Sequence, residues 1–208
     1  MYDKQYPYWG ELNLAPPTTP GNAVPVFRTD FGILGLAICF DVNFPEVWQR
    51  LAEQGAELVI WSSAYSAGST LQSHALQNNY YIVTSTCTCD CLAYDITGQL
   101  LHDQHHPELN ISRLTLDLDR GIYHENFNLD KCERLLAEHT DEVERELWMK
   151  REQWFVLRSR RAGVSARELA HSYGLEELRD YITRSRSAID RLRASDAARA
   201  DGNKHKGG

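Results

Sequence analysis

The sequence predicts an α/β domain followed by a helical extension. Residues 33–39 are apolar throughout, which is typical of a strand buried on both faces of a sheet. A helix is expected over residues 43–54, with Asn43 as its N-cap, a proline in its first turn and a glycine after its end. A second apolar run follows at residues 57–61, which completes the strand–helix–strand order of α/β architecture. From residue 130 onward the composition becomes highly charged and favours helix, which predicts the extension.

The remaining elements follow from local signals along the chain. Three prolines within residues 13–22 predict a loop, because proline sustains neither a helix nor a strand ladder. Thr97 and Gly98 predict a tight turn between two short strands. Ser165 and Glu168 form a capping box before a short helix. The other expected strands are 24–27, 80–87, 91–94, 99–102 and 111–118, and the other expected helices are 71–79, 130–159 and 175–193.

Composition and charge exclude several classes of protein. The chain has 208 residues, of which 42% are apolar and 25% charged, as in a typical folded globular protein and unlike a disordered or fibrous chain. No apolar run approaches the length that spans a bilayer. Residues 1–140 hold 7 Lys and Arg against 17 Asp and Glu, a net charge of −10, and the rest holds 15 against 12, a net of +3. The acidic first part would repel phosphate, so it is not expected to bind nucleic acid.

The five cysteines, with no recognisable secretory signal, favour a reducing cytoplasm over a disulfide framework. On a single strand, the alternate spacing of Cys87, Cys89 and Cys91 would place their thiols on one face. They are interpreted as small core residues. The alternative is a zinc site, although zinc ligands usually come from two short loops. The histidines that could complete such a site are His102, His105 and His106.

Cys39 differs from the other cysteines because it ends the buried strand at a sharp turn into a helix. At such a turn the side chain projects outward, and the following backbone N–H groups point toward any oxyanion formed there. A nearby helix N-terminus also favours a thiolate over a thiol. From this local pattern, a reactive nucleophile and a buried structural cysteine remain equal alternatives.

Residues 32–46, Gly-Ile-Leu-Gly-Leu-Ala-Ile-Cys-Phe-Asp-Val-Asn-Phe-Pro-Glu, closely resemble the nucleophile motif of the nitrilase, or carbon–nitrogen hydrolase, superfamily. In that family an apolar strand leads into Cys, an aromatic residue and Asp, and then into Phe-Pro-Glu. The segment Tyr2-Asp3-Lys4 resembles the family's Tyr-x-Lys segment, and Glu11 matches the second glutamate of its site. The resemblance extends over about residues 1–120. It implies the C-terminal portion of a nitrilase-type α-β-β-α sandwich.

The resemblance also implies the chemistry. Cys39 would attack the carbon of an amide or nitrile to form a thioester acyl-enzyme. Lys4 and the backbone N–H of Phe40 would stabilise the oxyanion, and Glu11 would position Lys4 or the substrate amide. No metal or organic cofactor is implied. Residues that follow the next strand, where family substrates are contacted, are weaker candidates for substrate binding: Tyr65, Ser66 and Gln72.

One part of the family's site has no counterpart. Its general base is a glutamate well upstream of the lysine, and here the lysine is Lys4. No carboxylate in the chain matches that motif, and general-base assistance is typically worth about 10²–10⁴-fold in rate. We therefore expect a fragment of a longer enzyme, an inactive relative, or one part of a split enzyme. Asp41 is expected to orient the turn at Cys39 rather than to replace the base.

The resemblance divides the chain into the hydrolase part at 1–128, a helical extension at 129–193 and a frayed tail at 194–208. The expected activity is hydrolysis of a non-peptide C–N bond, more often of an amide than of a nitrile, in a cytoplasmic homo-oligomer. The segment 164–175 and the basic helix after it have a helix–turn–helix character, so the alternative is a non-catalytic or nucleic-acid-binding module. Acids interleave with the bases of that helix, which favours a packing or oligomerisation arm.

Overall fold

The computed structural model describes residues 1–88, 90–105 and 111–204, and it forms two compact units, Met1–Leu118 and Asp119–Gly208. The first unit contains a sheet of six strands in the order β1-β2-β3-β4-β5-β6. Strands β2, β3 and β4 are parallel, and β1, β5 and β6 extend the sheet in antiparallel pairing. Its strands are β1 (Val26–Arg28), β2 (Ile33–Ile38), β3 (Leu58–Ser63), β4 (Tyr81–Thr86), β5 (Asp90–Tyr94) and β6 (Leu100–His105). The α/β class is therefore confirmed.

The helices of the first unit are α1 (Trp9–Leu12), α2 (Pro45–Glu53) and α3 (Gly68–Asn78), with a short 3₁₀ helix at Cys39–Asn43. Helices α2 and α3 cover one face of the sheet, where the cross-strand neighbours Gly35, Val59 and Ile82 point. A Cβ at Gly35 would lie 3.1 Å from a Leu51 methyl, so glycine lets α2 approach the central strand closely. The core on this face also contains Ala37, Trp61, Val47, Trp48, Leu71 and Ala75.

Two sequence expectations for the first unit are wrong in detail. Asn43 ends the 3₁₀ helix instead of capping α2, and its side-chain amide donates to the Phe40 carbonyl. Residues 111–118 alternate in exposure as predicted, but they pair with no strand in the described part of the chain. Cys87 lies in the turn after β4 and Cys91 in β5, so these two thiols are not on one strand, and Cys89 lies outside the described residues.

The second unit is a three-stranded antiparallel sheet in the order β7-β9-β8, packed with helices. Its elements are β7 (Gly121–His124), α4 (Leu129–Glu138), β8 (Val143–Met149), β9 (Trp154–Ser159), α5 (Ala166–Ser172) and α6 (Leu178–Lys204). It begins before the predicted boundary at residue 128, because the Asp119 carboxylate accepts hydrogen bonds from Ser165 and from the Ala166 N–H. Asp119 thus joins the start of α5.

The predicted continuous helix over 130–159 is wrong beyond Glu138, because the charged residues there pair across two strands. The Arg158 Nε lies 2.6 Å from a Glu144 carboxylate oxygen, and the Arg160 Nε lies 3.0 Å from the other. Alternating charges that resemble a solvated helix are in fact a cross-strand ladder. The extension, predicted to be helical, therefore contains both strands and helices.

The helical predictions at the end of the chain are closer to the structure. Ser165 caps α5 as expected, since its side chain accepts the Glu168 N–H. Helix α6 begins at Leu178 and continues to Lys204, past the predicted end at residue 193, and residues 205–208 lie outside the described chain. Within residues 1–88, 90–105 and 111–204, no helix has the length and apolar character needed to cross a membrane.

Candidate active site

Cys39 lies at a strained turn between β2 and the 3₁₀ helix. Its φ of 50° is in the left-handed region, which costs a residue with a Cβ about 1–2 kcal/mol. The turn is held from the neighbouring strand, because the Trp61 indole N–H donates to the Cys39 carbonyl at 3.1 Å. The thiol is free and half-buried. A strained residue that directly follows a buried strand has the geometry expected of a nucleophile turn.

Lys4 and Glu11 meet in a direct ion pair. The Lys4 Nζ lies 2.5 Å from a Glu11 carboxylate oxygen, and the Lys4 side chain is only 11% exposed. The same oxygen accepts the Tyr8 backbone N–H at 2.8 Å, which fixes the carboxylate at the start of α1. The hydrogen bond from Lys4 is the main reason that the pKa of Glu11 lies below its usual value. The sequence prediction that Glu11 positions Lys4 is therefore compatible with the geometry.

Asp41 connects the lysine segment to the turn at Cys39. Its side chain is fully buried and accepts three hydrogen bonds. The Tyr2 hydroxyl donates to Oδ2 at 2.8 Å, the Tyr6 N–H to Oδ1 at 2.8 Å, and the Ile38 N–H to Oδ2 at 3.0 Å. Burial and the adjacent carboxylate raise the pKa of Tyr2, so its hydroxyl remains a donor.

Tyr6 makes a second attachment to the same region. Its ring stacks on Phe44, with centroids 3.6 Å apart and planes within 6°. Its hydroxyl donates to a Glu46 carboxylate oxygen at 2.6 Å. Tyr6 therefore contacts the Phe-Pro-Glu end of the motif, and residues 2–6 lie alongside residues 38–46.

Polar side chains pack against the 3₁₀ helix, and their hydrogen bonds are made within the protein. His74 of α3 is buried, stacks on Trp48 with centroids 4.4 Å apart, and contacts the Val42 carbonyl through Nε2 at 2.8 Å. Because the partner is a carbonyl, Nε2 carries the proton. Burial lowers the pKa of His74, which favours the neutral ring. The Trp48 indole N–H donates to the Asp41 carbonyl at 3.1 Å. These contacts support the 3₁₀ helix from below.

The three weaker candidates for substrate binding differ in the contacts that they make. Tyr65 packs edge-on against Trp61, the residue that holds the Cys39 carbonyl, with centroids 5.7 Å apart. Ser66 hydrogen-bonds to Asp90 of β5. The side-chain amide of Gln72 donates to the Gly98 carbonyl in the β5–β6 turn. Tyr65 is thus linked to the turn at Cys39, whereas Ser66 and Gln72 hold structural contacts.

The alternative zinc site involves residues of which some lie outside the described chain. Cys89 and His106 are among these, and the side chain of His105 is not described either. Elsewhere in the described chain, His, Cys, Asp and Glu side chains form no group of three that could hold a metal ion. Cys87 is exposed and Cys91 half-buried, and both are free.

Sequence reasoning missed the residues that join the two motif segments. Tyr2 and Tyr6 flank Lys4 at two positions on either side, and both bond to Asp41. Trp61 and His74 support the turn from β3 and α3. The paired tyrosines around the lysine were a possible signal, but their partner lies more than 30 residues away and no local pattern indicates it.

Comparison with known proteins supports the resemblance. A sequence model of the carbon-nitrogen hydrolase family matches residues 5–122. A deaminated glutathione amidase from Dictyostelium discoideum is 28% identical over 137 residues, which cover 57% of this chain and 47% of that protein. One from Synechocystis sp. is 38% identical over 72 residues, covering 31% and 26%. The chain spans less than half the length of these relatives.

Among solved structures, a mutant of the Nesterenkonia amidase from the nitrilase superfamily is similar at 24% identity and a TM-score of 0.46, covering 51% of this chain and 46% of that one. The family match extends over more than half of the chain, includes Glu11 and the segment 32–46, and begins one residue after Lys4. The chain belongs to the carbon-nitrogen hydrolase family.

Proposed function

We propose that this chain carries the nucleophile, the oxyanion-binding lysine and its glutamate partner of a thiol-dependent amide hydrolase. One observation carries the proposal: the segment around Lys4 is bonded through Asp41 to the turn that presents Cys39. The Lys4–Glu11 ion pair and the left-handed conformation of Cys39 support the same conclusion.

In the proposed reaction, the Cys39 thiolate attacks the amide carbonyl carbon. A C–S bond forms while the C=O π electrons move to oxygen, and Lys4 and the Phe40 N–H stabilise that oxyanion. Collapse restores the C=O bond and breaks the C–N bond, and the amine leaves with the proton that the Cys39 thiol lost on becoming a thiolate. Water then attacks the thioester, which releases the carboxylic acid and returns the thiol.

Glu11 has a supporting role in this scheme. Its carboxylate is held by the Tyr8 N–H and therefore keeps the Lys4 ammonium in one place. This placement is costly to lose, since positioning a catalytic group contributes several powers of ten to enzyme rates.

The proposal concerns the complete protein, because no carboxylate in this chain matches the family's general base and the chain spans less than half of its relatives. An amide is preferred to a nitrile as substrate, since the curated relatives are named amidases. A homo-oligomeric state remains a prediction that light scattering on the purified protein would check, and a cytoplasmic location also remains a prediction. The competing possibility is an inactive relative, and it would be supported if the extended version of the chain turns over no amide.

The test is ammonia release from simple aliphatic amides, measured for this chain and for a version extended at its N-terminus by the upstream half of the domain. Turnover is expected in the extended version and should be abolished by Cys39→Ala. Cys91→Ala is the matched control, because Cys91 is also free and half-buried in the same unit. Equal ammonia release with and without Cys39 would refute the mechanism.

A further inference from the structure

Asp41 stands out as a fully buried carboxylate close to the proposed nucleophile. Burying an unpaired carboxylate is strongly unfavourable, so its persistence requires charge-assisted hydrogen bonds. It has three, from Tyr2, Tyr6 and Ile38. Both carboxylate oxygens are occupied by donors, and the side chain is closed to water. Asp41 is therefore poorly suited to accept a proton from a substrate or a water molecule.

The positions of the three donors are informative. Tyr2 and Tyr6 lie two residues before and two residues after Lys4, so Asp41 holds both ends of a five-residue segment with the lysine at its centre. Ile38 directly precedes Cys39, and its N–H shares Oδ2 with the Tyr2 hydroxyl. One carboxylate thus binds the Tyr2 side chain before Lys4, the Tyr6 backbone after it and the backbone next to Cys39.

We infer that Asp41 is a positioning residue that sets the location of Lys4 relative to Cys39. This inference rests on the proposed function, which gives Lys4 and Cys39 their roles. Asp41 acts through the lysine segment: without it, Lys4 keeps its partner Glu11, but the segment loses its attachment to the nucleophile turn. The Tyr6–Phe44 stack and the Tyr6–Glu46 hydrogen bond reinforce the same attachment.

The main variant is Asp41→Asn, which keeps the shape but replaces one acceptor oxygen with an amino group that cannot accept an N–H. The matched control is Asp95→Asn. Asp95 is equally buried, and its Oδ1 accepts from the Thr97 N–H, the Thr97 hydroxyl and the Gln99 N–H in the β5–β6 turn. Both changes remove a buried carboxylate from the first unit, but only one touches the lysine segment.

The readout is acylation of Cys39 by p-nitrophenyl acetate, mapped by mass spectrometry across neutral and alkaline pH. Exposed Cys87 serves as the internal standard. Asp41→Asn is expected to slow acylation of Cys39 relative to Cys87 by about tenfold to a hundredfold, because displacing an oxyanion donor is that costly. Asp95→Asn should leave the ratio unchanged. Hydrogen exchange should show that the Tyr6 amide loses protection in Asp41→Asn only.

Combination with Lys4→Met separates the possible explanations. If Asp41 acts through Lys4, the effect of Asp41→Asn disappears in the Lys4→Met background, as expected for two residues of one unit. An undiminished effect in that background, or an equal effect of Asp95→Asn, overturns the inference. If Lys4→Met alone leaves Cys39 acylation unchanged, the proposed role of Lys4 fails instead.

A second variant keeps the inference testable if Asp41→Asn does not fold. Tyr2→Phe removes one hydrogen bond to Oδ2 and leaves the carboxylate in place. It should give a smaller loss of Cys39 acylation in the same direction, again absent with Lys4→Met. Acylation of Cys39 at the wild-type rate in Tyr2→Phe would contradict the proposed attachment.

Discussion

The strain at Cys39 can be measured by comparing two substitutions that remove the same thiol. Alanine at a φ of 50° retains the steric cost of a Cβ, about 1–2 kcal/mol, whereas glycine avoids it. Glycine in turn loses about 0.4–1 kcal/mol because it makes the unfolded chain more flexible. The loss of the sulfur is common to both variants and cancels. We therefore expect Cys39→Gly to be more stable than Cys39→Ala by about 0.8 kcal/mol, the difference between the midpoints of these two ranges.

Cys91 provides the control, because it is a free, half-buried cysteine in strand β5 of the same unit. Its backbone is an ordinary strand, where glycine is less stable than alanine by about 0.5–1 kcal/mol. The order of the two variants should therefore reverse between the positions.

The assay is urea unfolding followed by tryptophan fluorescence. Trp148 and Trp154 are replaced by Phe in every variant, so that the signal comes from the first unit. A difference of the expected size shifts the unfolding midpoint by about 0.3–0.5 M urea. If alanine is as stable as glycine at Cys39, or the order matches that at Cys91, the turn is not strained and the reasoning is wrong.

Three further predictions concern groups near the site and in the second unit. Burial lowers the pKa of His74, so the unfolded chain binds more protons below the usual histidine value of about 6.5. Stability should therefore fall as the pH drops through that value, and a pH series of unfolding curves should show less of this loss in His74→Gln. Ser165→Ala removes the cap of α5 and should lower the stability of the second unit by about 1 kcal/mol in thermal unfolding; no change would show that the cap is dispensable. Glu11→Gln weakens the hold on Lys4 and should slow acylation of Cys39 by p-nitrophenyl acetate, and an unchanged rate would contradict a positioning role for Glu11.

The central fold could be predicted because each of its signals is local. The apolar run of β2, the proline at the start of α2 and the apolar run of β3 each lie within one element. The motif around Cys39 is equally local, and the family match confirms the family resemblance that the motif carries. The bounds shifted by only a few residues, mainly where the 3₁₀ helix takes the place of the expected helix cap.

The second unit could not be predicted in the same way, because its signals depend on pairing. Glu144 and Arg158 belong to different strands, and only their contact shows that the charges form a ladder instead of a helix surface. The same reason explains why the sequence indicates a role for Asp41 only within its own turn. Its partners Tyr2 and Tyr6 lie far away in sequence. Local patterns predict elements well, and they do not predict which distant residues meet.

The most direct test of the account is where p-nitrophenyl acetate places its acyl group on the native chain. This ester has a good leaving group, so acyl transfer depends on the nucleophile and the oxyanion donors more than on a general base. Although Cys87 is the more exposed thiol, the account predicts that the acetyl group appears first on Cys39, and that it does so in Cys91→Ala but not in Cys39→Ala. Faster acylation of Cys87, with Cys39 left unmodified, would contradict the assignment of Cys39 as the nucleophile.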